Sequence, residues 1–231
     1  MKPILFNTEM VKAILDGRKT VTRRLVKPQP VCYGPNKAFD AHDGDFFLSA
    51  EKNWLRCRMC GHDPEYSREG SEIAHHWEPR FVPGDILYVR ETWCDPTPDQ
   101  SGYPILYKAD MPMHWDAEDV EFGKEVTLKA EDYKWRPSIH MPKEAARIFL
   151  WVTGVRVERL QDIDAAGIRA EGLGTMAAFA GDIEIARAEF RNLWDSTIKP
   201  ASLPTCGWDA NPWVWAYKFE RISKKEATSC P

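Results

Sequence analysis

The chain lacks any apolar run long enough to span a membrane, and its first residues hold no apolar core of the signal-peptide kind. It therefore reads as a cytoplasmic protein with no membrane partner. A basic excess is also missing: 31 Lys and Arg stand against 35 Asp and Glu, a formal net charge of −4. Proteins that coat long duplex DNA neutralise many phosphates and need a positive balance, so that class is excluded, although a local basic pocket is not. Cysteines are few, six at positions 32, 57, 60, 94, 206 and 230. In a reducing compartment such residues are free thiols or metal ligands rather than disulfides. Internal repeats, low-complexity tracts and a phosphate-cradling Gly loop are all absent from the sequence. What remains is a chain of 231 residues with 43% hydrophobic content, enough for one core-bearing domain with a large insertion. Ten Trp are present. Their planes can stack nucleobases, but at least half are assigned to the core.

The N-terminal stretch concentrates charge. Ile4-Leu5-Phe6 reads as a short strand, and Thr8 to Asp16 as a helix capped by Asn7 or Thr8. Gly17 is placed to end that helix, because a glycine takes positive φ and turns the chain sharply. Arg18 to Arg24 then packs four cations and two hydroxyls into seven residues. Thr20 to Leu25 reads as a strand with Thr20, Thr22 and Arg24 on one face and Val21, Arg23 and Leu25 on the other. Arg offers a planar fork of donors, and Lys a compact cation whose pKa falls on burial. A Thr hydroxyl beside a desolvated Lys makes a nucleophile–base pair. The same residues also suit a plain solvated basic turn, and composition does not choose between the two.

Further along, Lys27-Pro28-Gln29-Pro30 breaks regular structure, and residues 31–78 show no clear periodicity. Within them, Cys57-Arg58-Met59-Cys60-Gly61-His62 has the spacing of a zinc knuckle, with Cys57, Cys60 and His62 as candidate ligands. Cys32, His75 and His76 are further candidates, and a loop with two free thiols is the alternative. Pro83-Gly84-Asp85 marks a turn before a strand from Ile86 to Glu91. Arg90-Glu91 at its end is either a pocket wall or an ion pair. Ile105 to Lys108 is a short strand. Trp135, Arg136, Ser138 and His140 share a loop between prolines, a plausible ligand wall. Ala146 to Leu160 is β-branched and aromatic, the strongest strand signal in the chain, with Gly154 as an expected bulge or bend. Asp162 or Asp164 caps a short helix running to Arg169, just before Glu171. Gly181 to Thr197 is an amphipathic helix, Trp213 to Ile222 a last strand, and residues 223–231 a loose tail.

Gly17-Arg18-Lys19-Thr20-Val21-Thr22-Arg23-Arg24 resembles the G-x-K-x-x-x-x-R signature of the ASCH domain, a PUA-like β-barrel family linked to RNA. Gly17, Lys19 and Arg24 fall on its three positions. Pro83 to Trp93, Trp135 to Pro142 and Asn211 to Trp215 resemble segments of the longer phage- and prophage-encoded ASCH proteins, in the same order. The resemblance covers about two thirds of the chain. It does not extend over 31–78. It implies an α+β fold built on a small PUA-like barrel with flanking helices. Small ASCH enzymes deacetylate N4-acetylcytidine with a Lys and a Thr of this turn and a Glu after a strand and helix. Carried over, these are Lys19, Thr22 and Glu171.

The expectation is thus one ASCH-like domain over 1–231, interrupted by insertion 31–78. Its partner is RNA or a modified nucleoside. The catalytic candidates are Lys19, Thr22 and Glu171, converging with Arg24 on one cleft. The substrate-binding candidates are Arg18, Arg24, Arg90, Glu91, Trp93, Trp135, Ser138 and His140. No cofactor is required, and a structural zinc is the one metal considered. A non-catalytic RNA-binding module and a ribonuclease using the same basic cleft are the rival readings.

Overall fold

The computed structural model describes residues 1–30, 46–49, 55–57, 66–68, 71–73, 77–95, 105–111, 133–173 and 182–229. Five strands form a sheet in the order β1 (Lys2–Leu5), β7 (Ile86–Arg90), β10 (Phe149–Arg159), β11 (Trp213–Ile222), β2 (Val21–Leu25). Few helices accompany it, which makes the class α+β. Among the described residues the sheet is open, with β1 and β2 as its two ends. The chain divides into two compact units.

The first unit comprises residues 1–17, 86–151 and 221–231. Here β1 pairs parallel with β7, Lys2 opposite Leu87 and Leu5 opposite Arg90. The opening residues of β10 pair antiparallel on the other side of β7, Phe149 opposite Tyr88, and two short strands, β8 (Trp93–Cys94) and β9 (Leu106–Tyr107), pair antiparallel with each other. Helix α1 (Thr8–Leu15) begins where the Asn7 side chain accepts a hydrogen bond from Met10 N–H at 2.8 Å. It buries Val11, Ala13 and Ile14. Gly17, at φ +75°, turns the chain out of it. The core is Trp93, Met141, Ala145, Ala146, Phe149 and Ala227. The presence of Ala227 in that core corrects the expectation of a loose tail. Ser223 and Glu226 form a reciprocal capping box: Ser223 N–H donates to the Glu226 carboxylate at 2.7 Å, and Glu226 N–H to the Ser223 hydroxyl at 3.2 Å. That pair starts helix α5 (Lys224–Ser229), which seats Ala227.

The second unit comprises residues 18–85 and 152–220. β11 pairs antiparallel with β2, placing Val214, Trp215, Ala216, Tyr217 and Lys218 opposite Leu25, Arg24, Arg23, Thr22 and Val21. Four short strands occupy the described part of the insertion as two antiparallel pairs: β3 (Phe46–Leu48) with β4 (Leu55–Cys57), and β5 (Tyr66–Arg68) with β6 (Ser71–Ile73). The Phe46 ring meets Trp213 edge-on at 5.3 Å. β10 runs as one strand through Gly154, the position expected to carry a bulge or bend. Helix α2 (Ala165–Ala170) starts at Asp164, whose Oδ1 accepts from Gly167 N–H at 2.7 Å. The amphipathic helix α3 (Ile183–Ser196) and a short α4 (Leu203–Cys206) follow. Leu160, Ile163, Ile168, Ala186, Phe190, Trp194 and Val214 form the core that holds α2 and α3 against the sheet.

Ile168 is fully buried in that core, three residues before Glu171. Replacing it with Ala removes three methyl or methylene groups and leaves a cavity. Ile168→Ala should lower unfolding stability by about 2–5 kcal/mol. Urea denaturation checks this, and a change under about 1 kcal/mol would mean that α2 is not anchored by this side chain.

Candidate functional site

The basic turn and the end of α2 meet in the second unit. Glu171 is the residue that ends α2, and its backbone forms an isolated antiparallel bridge with Lys19. Thr20 N–H adds a bond to Ala170 O at 2.8 Å. The end of α2 thus lies along the start of the edge strand β2. Lys19 Nζ donates to Glu171 Oε2 at 2.5 Å, and to the carbonyls of Glu171 and Val21, each at 2.9 Å. Its side chain has 0% exposure. A lysine ammonium has three N–H groups, so all three have acceptors.

The other carboxylate oxygen of Glu171 accepts from Arg23 Nη1 at 3.1 Å. Arg23 Nε in turn donates to Glu158 Oε1 at 2.7 Å, and Arg156 Nε donates to Glu158 Oε2 at 2.5 Å. Charges alternate along this chain from exposed Arg156 inward to Lys19. The guanidinium of Arg23 fits because residue 167 is a glycine. An added Cβ there would lie 2.9 Å from Arg23 Nη2 and 3.0 Å from Ile163.

Burial pushes the Lys19 ammonium below its usual pKa of 10.5. Glu171 opposes that shift, while Arg24 and Arg23 add to it. Burial likewise works against the charged form of Arg24; Glu171 and Tyr217 support that form and Arg80 opposes it. Arg24 therefore lies within electrostatic reach of both members of the Lys19–Glu171 pair. Tyr217, across the sheet from Thr22, is pushed up to about 12 by burial, and its hydroxyl accepts from Arg80 N–H at 3.1 Å.

The structure thus brings Lys19 and Glu171 into contact across 152 residues of chain, with Arg24 near both. Thr22 is buried on β2, and strand alternation puts it on the Arg24 face, away from the face of Arg23. Arg18 Nη1 donates to Gly172 O at 2.5 Å beside Glu171. Arg90, Glu91, Trp93, Trp135, Ser138 and His140 belong to the first unit instead. There Arg90 Nε donates to Met141 O at 2.7 Å, and the Trp93 backbone pairs with Arg136. Trp135 packs against Tyr133 at 5.9 Å, and Ser138–His140 is a single 3-10 turn. Glu91 is buried and bound by Arg147 through Nε at 2.9 Å and Nη2 at 3.1 Å. Arg147 also reaches Asp110 at 2.6 Å and lies over the Tyr107 ring at 3.9 Å. Burial pushes the Glu91 carboxyl up, against the pull of Arg147. The Arg90-Glu91 dipeptide therefore splits: each residue has its own partner.

Arg23 and Glu158 are the members that sequence reasoning missed. A signal was available. Arg23 shares strand parity with Val21 and Leu25, which pack inward, and a cation on an inward face needs a buried counter-charge. Of the zinc-knuckle candidates, Cys60 and His62 lie outside the described residues, as do Cys32, His75 and His76, and Cys57 is described only as the last backbone position of β4. Among the described residues, no group of three or more His, Cys, Asp or Glu is placed to hold a metal ion. No described helix is long and apolar enough to cross a membrane.

Comparison with known proteins yields no matching family model, no matching curated protein and no matching solved structure.

Glu171→Gln keeps the shape of the cluster but leaves Lys19 and Arg23 facing a neutral amide. Removing one partner of a buried pair costs about 3–5 kcal/mol. The loss should depend on pH. Lys19 has a depressed folded pKa, so its burial penalty builds as pH falls below 10.5, the unfolded value, and is complete below the folded one; without Glu171, which opposes the shift, that folded value drops further and the penalty at low pH grows. Urea melts of wild type and variant should diverge more at about pH 6 than at about pH 9. An equal gap at both would remove Lys19 from the account.

Proposed function

We propose that this protein is an amidohydrolase acting on N4-acylated cytidine, as the ASCH resemblance implies, with RNA or a free modified nucleoside as the substrate source. The observation that carries the reading is the buried Lys19–Glu171 contact with Arg24 in electrostatic reach. A lysine whose pKa is lowered by burial holds a neutral amine at lower pH than a solvated one, and a neutral amine can act as a base. The scaffold in this reading is a PUA-like barrel, of which the open sheet would be the main part.

The chemistry follows from the groups. Lys19 as free amine takes the proton of a water or of the Thr22 hydroxyl. The oxygen so released attacks the acyl carbonyl carbon, and the carbonyl π pair moves onto its oxygen. Arg24 holds that oxyanion. Collapse breaks the bond from carbon to N4, and N4 leaves with a proton relayed from Lys19 through Glu171 Oε2. With water as nucleophile the products are cytidine and a carboxylic acid. With Thr22 an acyl-threonine forms first, and a water then releases it. Arg23 binds the second Glu171 oxygen, which keeps the first turned toward Lys19. Arg23 and Glu158 are positioning residues in this scheme.

A second reading has support from one observation. Lys19 already donates three bonds and has no exposed surface, which suits a fixed electrostatic support for a non-catalytic RNA-binding module. Turnover separates the two, and shortening of an oligonucleotide marks the ribonuclease alternative.

Liquid chromatography of N4-acetylcytidine incubated with wild type should show cytidine, with kcat/KM rising with pH through the lowered Lys19 pKa, below 10.5. Lys19→Ala should lose that limb and about 10²–10⁴ in rate or more. Glu171→Gln should lower kcat with little change in KM, and Arg24→Ala should mainly raise KM. Inactivity of the wild type on every acylated nucleoside, with RNA retained and Glu171→Gln binding it more tightly, would establish the binder instead.

A further inference from the structure

The second unit holds a cavity of about 320 Å³ beside α3, lined by Gln161, Glu184, Arg187, Ala188, Arg191 and Trp208. The size lies within the range of small-molecule sites. It shares no residue with the Lys19 cluster. Its wall carries two arginines and one glutamate, and Asp195 and Asp209, both within ion-pair distance of Arg191, lie outside it. Arg187 and Arg191 are four positions apart on α3, so both project from one face of the helix.

Arg187 is under-used. Its Nε is buried with no hydrogen-bond partner among the described residues. Its Nη2 donates only long bonds, 3.4 Å to Gln161 O and 3.3 Å to Ile163 O, and its Nη1 stands 3.7 Å from Glu184 Oε1. A buried donor left without an acceptor is unfavourable, and an anionic oxygen is the acceptor that satisfies a guanidinium best. Arg191 is held in place from outside the wall. Its Nη2 donates to Asp209 Oδ2 at 2.7 Å, and its Nε lies 3.8 Å from Asp195 Oδ2. Trp208 is fixed as well. Its N–H donates to Asp195 Oδ1 at 2.8 Å, its carbonyl accepts from Gln161 Nε2 at 2.9 Å, and its ring meets Phe190 edge-on at 5.9 Å. The pocket therefore combines two guanidinium groups with a rigid indole.

We propose that this pocket binds a mononucleotide, with Arg187 and Arg191 on the phosphate and Trp208 against the base. Arg forks match phosphate oxygens, and an indole face stacks any base. The proposal does not depend on amidohydrolase activity at Lys19.

Isothermal titration calorimetry on the full chain tests it, with adenosine 5′-monophosphate, adenosine and inorganic phosphate as probes. Wild type should bind the mononucleotide more tightly than either of its parts. Arg187→Gln and Arg191→Gln should each weaken that binding, about tenfold to a hundredfold for a lost charge-assisted hydrogen bond. If Arg187→Gln fails to give a folded circular dichroism spectrum, Arg191→Gln decides, since that side chain is about half exposed at 47%. Equal affinity in wild type and Arg191→Gln, or no heat from the mononucleotide with wild type, would each overturn the proposal.

Discussion

A lysine ammonium taken fully out of water has to find a negative partner and acceptors for its three protons within hydrogen-bond reach. Lys19 finds all of them at the end of α2 and in its own strand. That requirement organises much of the second unit. α2 must stop at Glu171, so that one residue can offer both a carboxylate and a carbonyl. Asp164 must start the helix at the right place, and Gly167 must leave room for the guanidinium that binds the other carboxylate oxygen. β11 must hold β2 in register, because a slip by one residue would carry Arg23 to the other face.

Glu91 and Glu171, the two buried carboxylates among the described residues, illustrate how surroundings separate roles. Glu91 is paired with Arg147, a guanidinium that stays charged, keeps partial contact with solvent and lies over Tyr107. This set ties the end of β7 to the segment before β10. Glu171 is paired with a lysine, whose proton can leave when burial weakens its hold. The difference between an arginine partner and a lysine partner separates a fastening from a candidate acid–base pair.

Buried charge also explains the distribution of arginines. Arg23 is enclosed between two carboxylates, whereas Arg187 has a buried nitrogen with no acceptor among the described residues. The first arrangement is complete within the protein. The second leaves one donor without an acceptor among those residues.

Local physics made much of the chain legible beforehand. Asn7 as a cap, Gly17 at positive φ, the turn at Gly84, and the strands from Ile86 and Trp213 follow from rules that involve only near neighbours. The same rules include the capping box Ser223-x-x-Glu226, although it lay in a tail expected to be loose. Strand β10 runs through Gly154, a residue of low strand preference, because pairing with neighbouring strands outweighs that preference. The sequence by itself determined the segments, their caps and the concentration of cations at residues 18–24. Only the tertiary structure decided which carboxylate meets which cation. Glu171, Glu158 and Glu91 look alike in sequence, and partner choice is set by long-range strand register and helix placement, which no local pattern encodes.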